Sequence, residues 1–321
     1  LAKAVPSFES DGVTLKVELK SGVKFHDGTE LTASDVKYTF ERMFKPETGA
    51  LSTSFFTDIK GAKEMLAGTA TELEGLSVED DTHLTFTLTV PNVAFVGALG
   101  ISYACIFPKT ACEAAGKDWG VGTHLIGTGK YKLAENDDTT AVKLVRFDDY
   151  HDGTPALDEI RITYYDDDNT KLLAYKNGDL DWCDLPSSLF KQYSDDAEIK
   201  DQITSYPTLG VNFINLNLKE GNGLDDVKVR QALSLAINRQ ELVDNIASGN
   251  GTVASGWLAP ATPGYDKSAP AFEYDPEKAK SLLAEAGASD LKLSAKVRKS
   301  YEKLLVAVQE YWSKVGVTLD V

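Results

Sequence analysis

Cysteine and histidine are scarce in this chain, which has 3 and 4 of them in 321 residues. Cys105, Cys112 and Cys183 are an odd number with no CxxC spacing. They make neither a zinc-binding set nor a complete disulfide framework. Free or core thiols are the plain reading, and the spacing leaves a single bridged pair open. His26, His83, His124 and His151 are scattered, with no i, i+4 pair and no cysteine nearby, so no metal site is expected. Long apolar runs are also missing. The longest weakly polar stretch, Val93 to Phe107, is interrupted by Gly97, Gly100 and Ser102 and falls short of the ~18–20 residues that span a bilayer as a helix. Basic residues are in deficit, 33 against 49 acidic, for a formal charge of −16. That balance speaks against nucleic-acid binding, which needs a clustered basic face.

Catalytic signatures are absent as well. There is no GxSxG elbow and no GxGxxG fingerprint. Gly127-Thr128-Gly129-Lys130 looks like part of a phosphate loop but fails it: His124 stands where the first Gly belongs, and Tyr131 where a Ser or Thr would hold Mg²⁺. It reads as a turn leading into a strand from Tyr131. Asp166-Asp167-Asp168 lacks the spaced ligands and distal Glu of a calcium loop and reads as a solvated charge run. No carboxylate pair stands out as acid and base in so acidic a chain. The first residues show no Met, no basic n-region and no apolar h-region, so a processed product or an excised piece of a longer protein is expected.

What is present describes a globular protein of about two domains by length. Hydrophobic residues make up 42% and charged residues 26%, enough for real cores. Residues 13–19 and 84–90 alternate apolar and polar, the mark of half-buried strands, and 141–147 and 159–165 are further strand candidates. His26-Asp27-Gly28-Thr29 is a turn. Thr32 followed by Asp35 opens a helix as a capping box, with Val36, Phe40 and Met43 on one face. The pattern predicts a helix over 170–177 ended by Gly178, and a long strand over 208–218 with Asn at alternate positions. A helix starts at Asp225 or Asp226 and runs through Ile246. Another opens on Asp275-Pro276 and closes at Gly287, and a third covers 300–314 up to Gly316. Val317–Val321 reads as a strand. The irregular interleaving argues for an α/β fold with mixed sheets, and the missing catalytic constellation favours a binding protein.

Four segments, in this order and spacing, resemble the extracytoplasmic solute-binding proteins of ABC importers, the peptide/nickel-type family 5. Leu19 to Arg42 contains Phe25-His26-Asp27-Gly28 and Thr32-Ala33-Ser34-Asp35-Val36, similar to the family's F-x-D-G turn and T-A-x-D-V helix. Gly127-Thr128-Gly129-Lys130-Tyr131 resembles its G-T-G-x-Y. Asp226 to Arg239 resembles V-R-x-A-L-x-x-A-I-x-R, and Asp275 to Gly287 adds the fourth match. The resemblance implies a class II, cluster C periplasmic-binding-protein-like fold, a two-lobe clamshell plus an extra domain, here incomplete at both ends. It assigns 1–109 to the extra domain, 110–210 to part of the first lobe and 211–321 to the first half of the second. It implies capture of a di- or oligopeptide without catalysis and without a cofactor. The expected protein is a monomer that delivers its solute to the permease transmembrane subunits, and it is periplasmic or a cell-surface lipoprotein. Nickel chelates, oligosaccharides and other small solutes remain alternatives, with a hydrolase or a chaperone-like or adhesion protein as other classes.

The ligand-binding residues expected from the resemblance are Trp182, Cys183 and Asp184, together with Thr208, Leu209, Gly210, Val211 and Asn212. Trp182 is a cleft wall or a core aromatic. Asp184 is a cleft group or a solvated carboxylate. The Thr208–Asn215 stretch suits strand-like pairing with a peptide backbone, and an ordinary sheet strand is equally consistent. The resemblance puts the carboxylate that anchors a peptide's amino terminus in a later part of the second lobe than this chain reaches.

Overall fold

A computed structural model describes residues 1–219 and 221–321. Packing divides the chain into two compact units, Leu1–Asp166 and Asp167–Val321.

In the first unit, strand β1 (Thr14–Glu18) is buried on alternate residues, as its period-two sequence requires. It pairs antiparallel with β3 (His83–Thr87), whose other edge takes β2 (Leu76–Val78). The helix Ala33–Phe44 lies over this sheet region with Val36, Phe40, Met43 and Phe44 buried. The Asp35 carboxylate accepts from both the Thr32 N–H and the Thr32 hydroxyl. Its second oxygen accepts the Lys109 N–H at 2.9 Å, at the start of the helix Lys109–Ala115. One carboxylate therefore caps two helices, where its negative charge also suits their dipoles.

Phe40, Phe56, Phe86 and Phe95 are buried together. Phe40 meets Phe56 and Phe86 edge-on at 5.2 and 5.3 Å, and Phe95 meets Phe86 at 5.5 Å and Phe56 at 6.2 Å. Edge-to-face geometry sets ring hydrogens against π faces and adds to the gain from burial. A second sheet follows as a meander: β4 (Tyr131–Asn136), β5 (Ala141–Arg146) and β6 (Glu159–Thr163), all antiparallel, with a register shift between Leu133 and Glu135. The Gly127–Lys130 segment is the lead-in to β4.

The second unit is mainly helical. Asp167 caps the helix Asp168–Lys176 by accepting the Thr170 N–H at 2.8 Å, so the acidic run at 166–168 includes a cap, and Gly178 beyond its end takes a φ of +82°. The helices Val227–Leu235, Pro276–Glu285 and Glu302–Ser313 enclose a core of Val229, Leu233, Ala279, Leu283, Leu305, Val308 and Trp312. The Trp312 indole N–H donates to the Leu233 carbonyl at 3.0 Å inside it. Asp226 and Asp275 cap the first two helices through the Lys228 and Lys278 N–H groups. Strand β7 (Lys292–Ser294) pairs in parallel with β8 (Thr318–Asp320), so the 317–321 strand does find a partner.

Two expectations need correction. The helix expected through Ile246 stops at Leu235 and resumes at Arg239. Asn238 caps the new start by accepting the Glu241 N–H, and the Arg239 guanidinium turns back onto the Ser234 carbonyl and hydroxyl at 3.0 and 2.8 Å. These bonds supply partners for carbonyls of the first end and for the Glu241 N–H of the second, which offsets part of the cost of interrupting the helix. The strand expected over 208–218 carries neither helix nor strand. Alternation reports which faces a stretch presents, and a strand also needs a partner to complete its ladder. None of its backbone groups from Thr208 to Leu216 is hydrogen-bonded among the described residues. The alternation itself survives, because Ile214 and Leu216 pack against the unit's core while Asn215 and Asn217 are exposed.

Gly75 sits at a tight backbone crossing in the first unit. Its N–H donates to the Lys60 carbonyl at 2.7 Å and its carbonyl accepts the Thr87 N–H at 2.7 Å. An added Cβ would collide with the Thr87 carbonyl oxygen and come within 2.6 Å of the Lys60 nitrogen. Gly75→Ala is expected to cost about 1–3 kcal/mol, the usual penalty for overpacking, read as a lower urea midpoint with an unchanged slope.

Candidate functional site

The sequence-selected residues fall in the second unit. Trp182, Cys183 and Asp184 follow the helix Asp168–Lys176 and precede Pro186, whose ring starts the next helix, Ser187–Ser194. Trp182 is 76% exposed, so it is not a core aromatic. Cys183 is half-buried against a small cluster of Leu172, Tyr193 and Ile199, and burial pushes its thiol pKa up. A thiol held neutral in this way is a packing group and a poor nucleophile.

Asp184 accepts from the Lys171 ammonium at 3.1 Å, and Lys171 also reaches Asp168 at 2.9 Å. The hydrogen bond from Lys171 holds the Asp184 carboxyl below its usual range, against a smaller desolvation effect in the opposite direction. On Lys171, burial lowers the pKa, and the bonds to Asp168 and Asp184 more than offset it, leaving the ammonium raised. The shared lysine orients the Asp184 side chain from the helix, and that carboxylate stays largely open to solvent.

The second stretch is differently built. Thr208, Leu209, Gly210 and Asn212 are exposed, Leu209 to 63%, and Val211 is half-buried. No hydrogen bond or ion pair among the described residues joins any of Trp182–Asp184 to any of Thr208–Asn212. Next to the second stretch, sequence reasoning missed an aromatic pair. Phe213 and Trp257 meet with ring centroids 4.7 Å apart and planes at 59°, yet are 56% and 73% exposed. Phe213 shares the outward parity of Leu209, so alternation could have extended the candidate stretch by one residue. Nothing in the sequence links it to Trp257, which lies in a region without regular structure. Large aromatics held against each other in solvent offer apolar area at little entropic cost on binding.

Arg239 is half-buried, its guanidinium 4.5 Å from the Phe272 ring centroid. Burial lowers its pKa. Its bonds to the carbonyls at the end of the Val227–Leu235 helix give it a structural explanation, as a cation on the negative end of a helix dipole. A shallow depression of about 150 Å³ on the β4–β6 sheet is lined by Glu135, Lys143 and Arg161 among others, and one of about 530 Å³ by Ala295, Lys299, Glu302 and neighbours. Neither includes a sequence-selected residue. Among the described residues there is no group of three or more His, Cys, Asp or Glu able to hold a metal ion, and no helix is long and apolar enough to cross a membrane.

The exposed Phe213–Trp257 pair and a Thr208–Leu216 backbone with no hydrogen bond among the described residues offer surface to a ligand, and comparison with known proteins gives the family. Residues 1–321 match the profile of bacterial extracellular solute-binding proteins, family 5, middle region, and the chain belongs to that family. It is 31% identical over 314 residues to the glutathione-binding protein GsiB of Salmonella typhimurium, covering 96% of this chain and 57% of that protein. It is 28% identical over 328 residues to the dipeptide-binding protein of Escherichia coli, covering 96% and 60%. Its fold superposes on a periplasmic oligopeptide-binding protein of Borrelia burgdorferi with a TM-score of 0.81 and 28% identity, covering 100% of this chain and 65% of that one. The chain thus spans 57–60% of the length of these two curated relatives. The family and the mixed α/β fold are those the sequence motifs resemble.

The Lys171–Asp184 contact carries a pH prediction. A carboxylate with a lowered folded-state pKa contributes stability above its unfolded pKa of about 3.9, and that contribution is lost as pH falls through the folded value. Asp184 is therefore expected to titrate below the ordinary carboxylate range by carboxyl ¹³C NMR and to return toward it in Lys171→Met. Because the pair is exposed, the stability change in Asp184→Asn should stay within about 1 kcal/mol.

Proposed function

We propose that this protein captures a short peptide outside the cytoplasm and passes it to the transmembrane subunits of an ABC importer. In this reading it works as a monomeric, non-catalytic component, in the periplasm or tethered to the cell surface by a lipid. The three relatives described above, named for binding glutathione, dipeptides and oligopeptides, support a peptide as the solute class. The observation that carries the reading is the Thr208–Leu216 backbone, whose donors and acceptors are taken by no other described residue. A peptide presents the same alternating N–H and C=O groups and can pair with them as an added strand, while side-chain positions set preference.

The residues assigned to ligand are Trp182, Cys183, Asp184 and Thr208, Leu209, Gly210, Val211 and Asn212, to which we add Phe213 and Trp257. Asp184 supplies a carboxylate for a cationic group and the aromatic pair takes an apolar side chain. The family resemblance puts the anchor for the peptide's amino group in a later part of the second lobe than these 321 residues. In the 321-residue chain alone, peptide affinity is therefore expected to be lower by roughly one to four decades, the equivalent of one charge-assisted contact.

Thermal-shift titration tests the proposal, because a ligand that binds the native state stabilises it by RT ln(1 + [L]/Kd). The titration uses the 321-residue chain and a protein of the relatives' full length, each against di- and tripeptides, glutathione, a nickel chelate and oligosaccharides. Peptides should give the largest shift in the longer protein, and a nickel chelate or sugar doing so instead overturns the peptide reading. Trp257→Ala in the longer protein should weaken peptide binding roughly ten- to a hundredfold, as loss of a central aromatic contact does. Unchanged affinity in Trp257→Ala and Phe213→Ala would remove the aromatic pair from the site.

A further inference from the structure

Two of the motifs that carry the family resemblance meet in the first unit through one histidine. The turn Phe25–Thr29 is closed by its own bonds: the Phe25 N–H donates to the Thr29 carbonyl at 2.8 Å and the Gly28 N–H to the Phe25 carbonyl at 2.9 Å. Gly28 makes the reversal with a φ of +87°. The Asp27 carboxylate is occupied within the turn, accepting from the Thr29 N–H and hydroxyl at 2.9 and 2.6 Å. His26 faces the other way. Its N–H donates to the Gly127 carbonyl at 2.9 Å, and its ring takes the two ends of the same loop. Nδ1 lies 3.3 Å from the Gly127 nitrogen and Nε2 3.0 Å from the Gly129 carbonyl oxygen.

The backbone fixes the tautomer. A peptide N–H can only donate and a carbonyl can only accept, so Nδ1 is the bare nitrogen and Nε2 carries the hydrogen. An imidazolium has a hydrogen on both nitrogens and would point one donor at another across the Gly127 contact.

We propose that His26 is a proton-sensitive clasp, which as neutral imidazole accepts the Gly127 N–H and fastens the 25–29 turn to the 127–130 loop, and which on protonation gives up the Gly127 amide while the bond to the Gly129 carbonyl stays. The Phe147 ring packs edge-on against the imidazole at 5.1 Å and shields one side of it, while the Phe147 N–H holds the Lys130 carbonyl at 3.0 Å. The charged groups that act on the ring are Lys132, from β4, and Asp27, from the turn itself. Lys132 opposes protonation and lies 5.9 Å from the Phe147 centroid. Asp27 favours protonation but is already engaged by Thr29. Desolvation is the largest effect on His26, ahead of the bond to Gly129, and the net direction is below the ordinary imidazole value. Two ion pairs, Lys20–Asp152 and Lys24–Asp149, tie the same β1-to-turn segment to the segment after β5. Both are lysine–carboxylate pairs that do not involve the His26 ring. Release is thus confined to the lead-in of β4.

The sign follows from linkage. A histidine whose folded pKa is depressed leaves the unfolded state holding more protons, so its contribution is present above about pH 6.5 and is lost as pH falls toward the folded value. NMR on the intact 321-residue chain tests the clasp, with ¹³C-labelled histidine and ¹⁵N-labelled glycine. The His26 ring signal is assigned in the unaltered chain from its through-space contacts to the Phe147 ring. It should titrate below the ordinary imidazole value, and protection of the Gly127 amide, corrected for intrinsic exchange, should fall at least about tenfold across that titration. In His26→Asn, whose amide oxygen can still accept but cannot be protonated in this range, protection should not vary with pH. Gly127 protection that is flat across the His26 titration in the unaltered chain overturns the proposal, and so does an acid-dependent loss of the same size in His26→Asn. Because the first of these is read without any substitution, a variant that folds poorly leaves the test intact.

Discussion

Every peptide group removed from water needs a hydrogen-bond partner, and where this chain finds its partners decides what each stretch becomes. β1, β2 and β3 satisfy one another, as do β4, β5 and β6. At the break in the second unit, an asparagine cap and an arginine side chain take up free groups at two helix ends and offset part of the cost of the interruption. The Thr208–Leu216 stretch has the side-chain pattern of a strand without any partner among the described residues. Much of that stretch is exposed, so water meets its peptide groups and they stay open to pairing with a ligand's.

Side chains close the structure in two different ways. The first unit packs four phenylalanines edge to face, which fixes relative orientation as well as excluding water. The second packs mostly aliphatic helix faces around Trp312, whose indole N–H needs and finds a carbonyl. One exposed aromatic pair in the second unit stands outside its core. Phe213 and Trp257 touch each other and remain in water. The net charge of −16 sits mostly on solvated surface and keeps such a molecule dispersed.

Local signals are legible in the sequence alone. The capping pair Thr32 and Asp35, with Val36, Phe40 and Met43 behind it, suffices to place a helix that runs from Ala33 to Phe44. The Asp275-Pro276 start and the Gly287 stop bracket another, because caps act within a turn of the residue that makes them. Pairing is not legible in the same way. Residues 208–218 alternate as well as β1 does, and alternation cannot say whether a neighbour exists. The break before Arg239 depends on a side chain that bonds backward onto Ser234, in a stretch whose apolar spacing runs on unbroken. In the candidate site, Trp182 and the 208–212 stretch follow from family resemblance. The Phe213–Trp257 contact joins two distant parts of the chain and leaves no trace in either.

Asp35 bears on the order in which the first unit assembles. Its bond to the Lys109 N–H joins positions 74 residues apart. Closing a flexible loop of that length costs about 4 kcal/mol of chain entropy, beyond the constant part. A hydrogen bond to a charged group returns about 1.5–3 kcal/mol. The carboxylate therefore cannot gather the intervening chain by itself. The balance has to come from other contacts within that loop, the packing of the phenylalanines at 40, 56, 86 and 95 among them. The nearer bonds to Thr32 carry no such entropic cost and are free to form at the outset. One side chain thus acts twice in folding time, first as a local nucleator and later as the latch that starts a second helix.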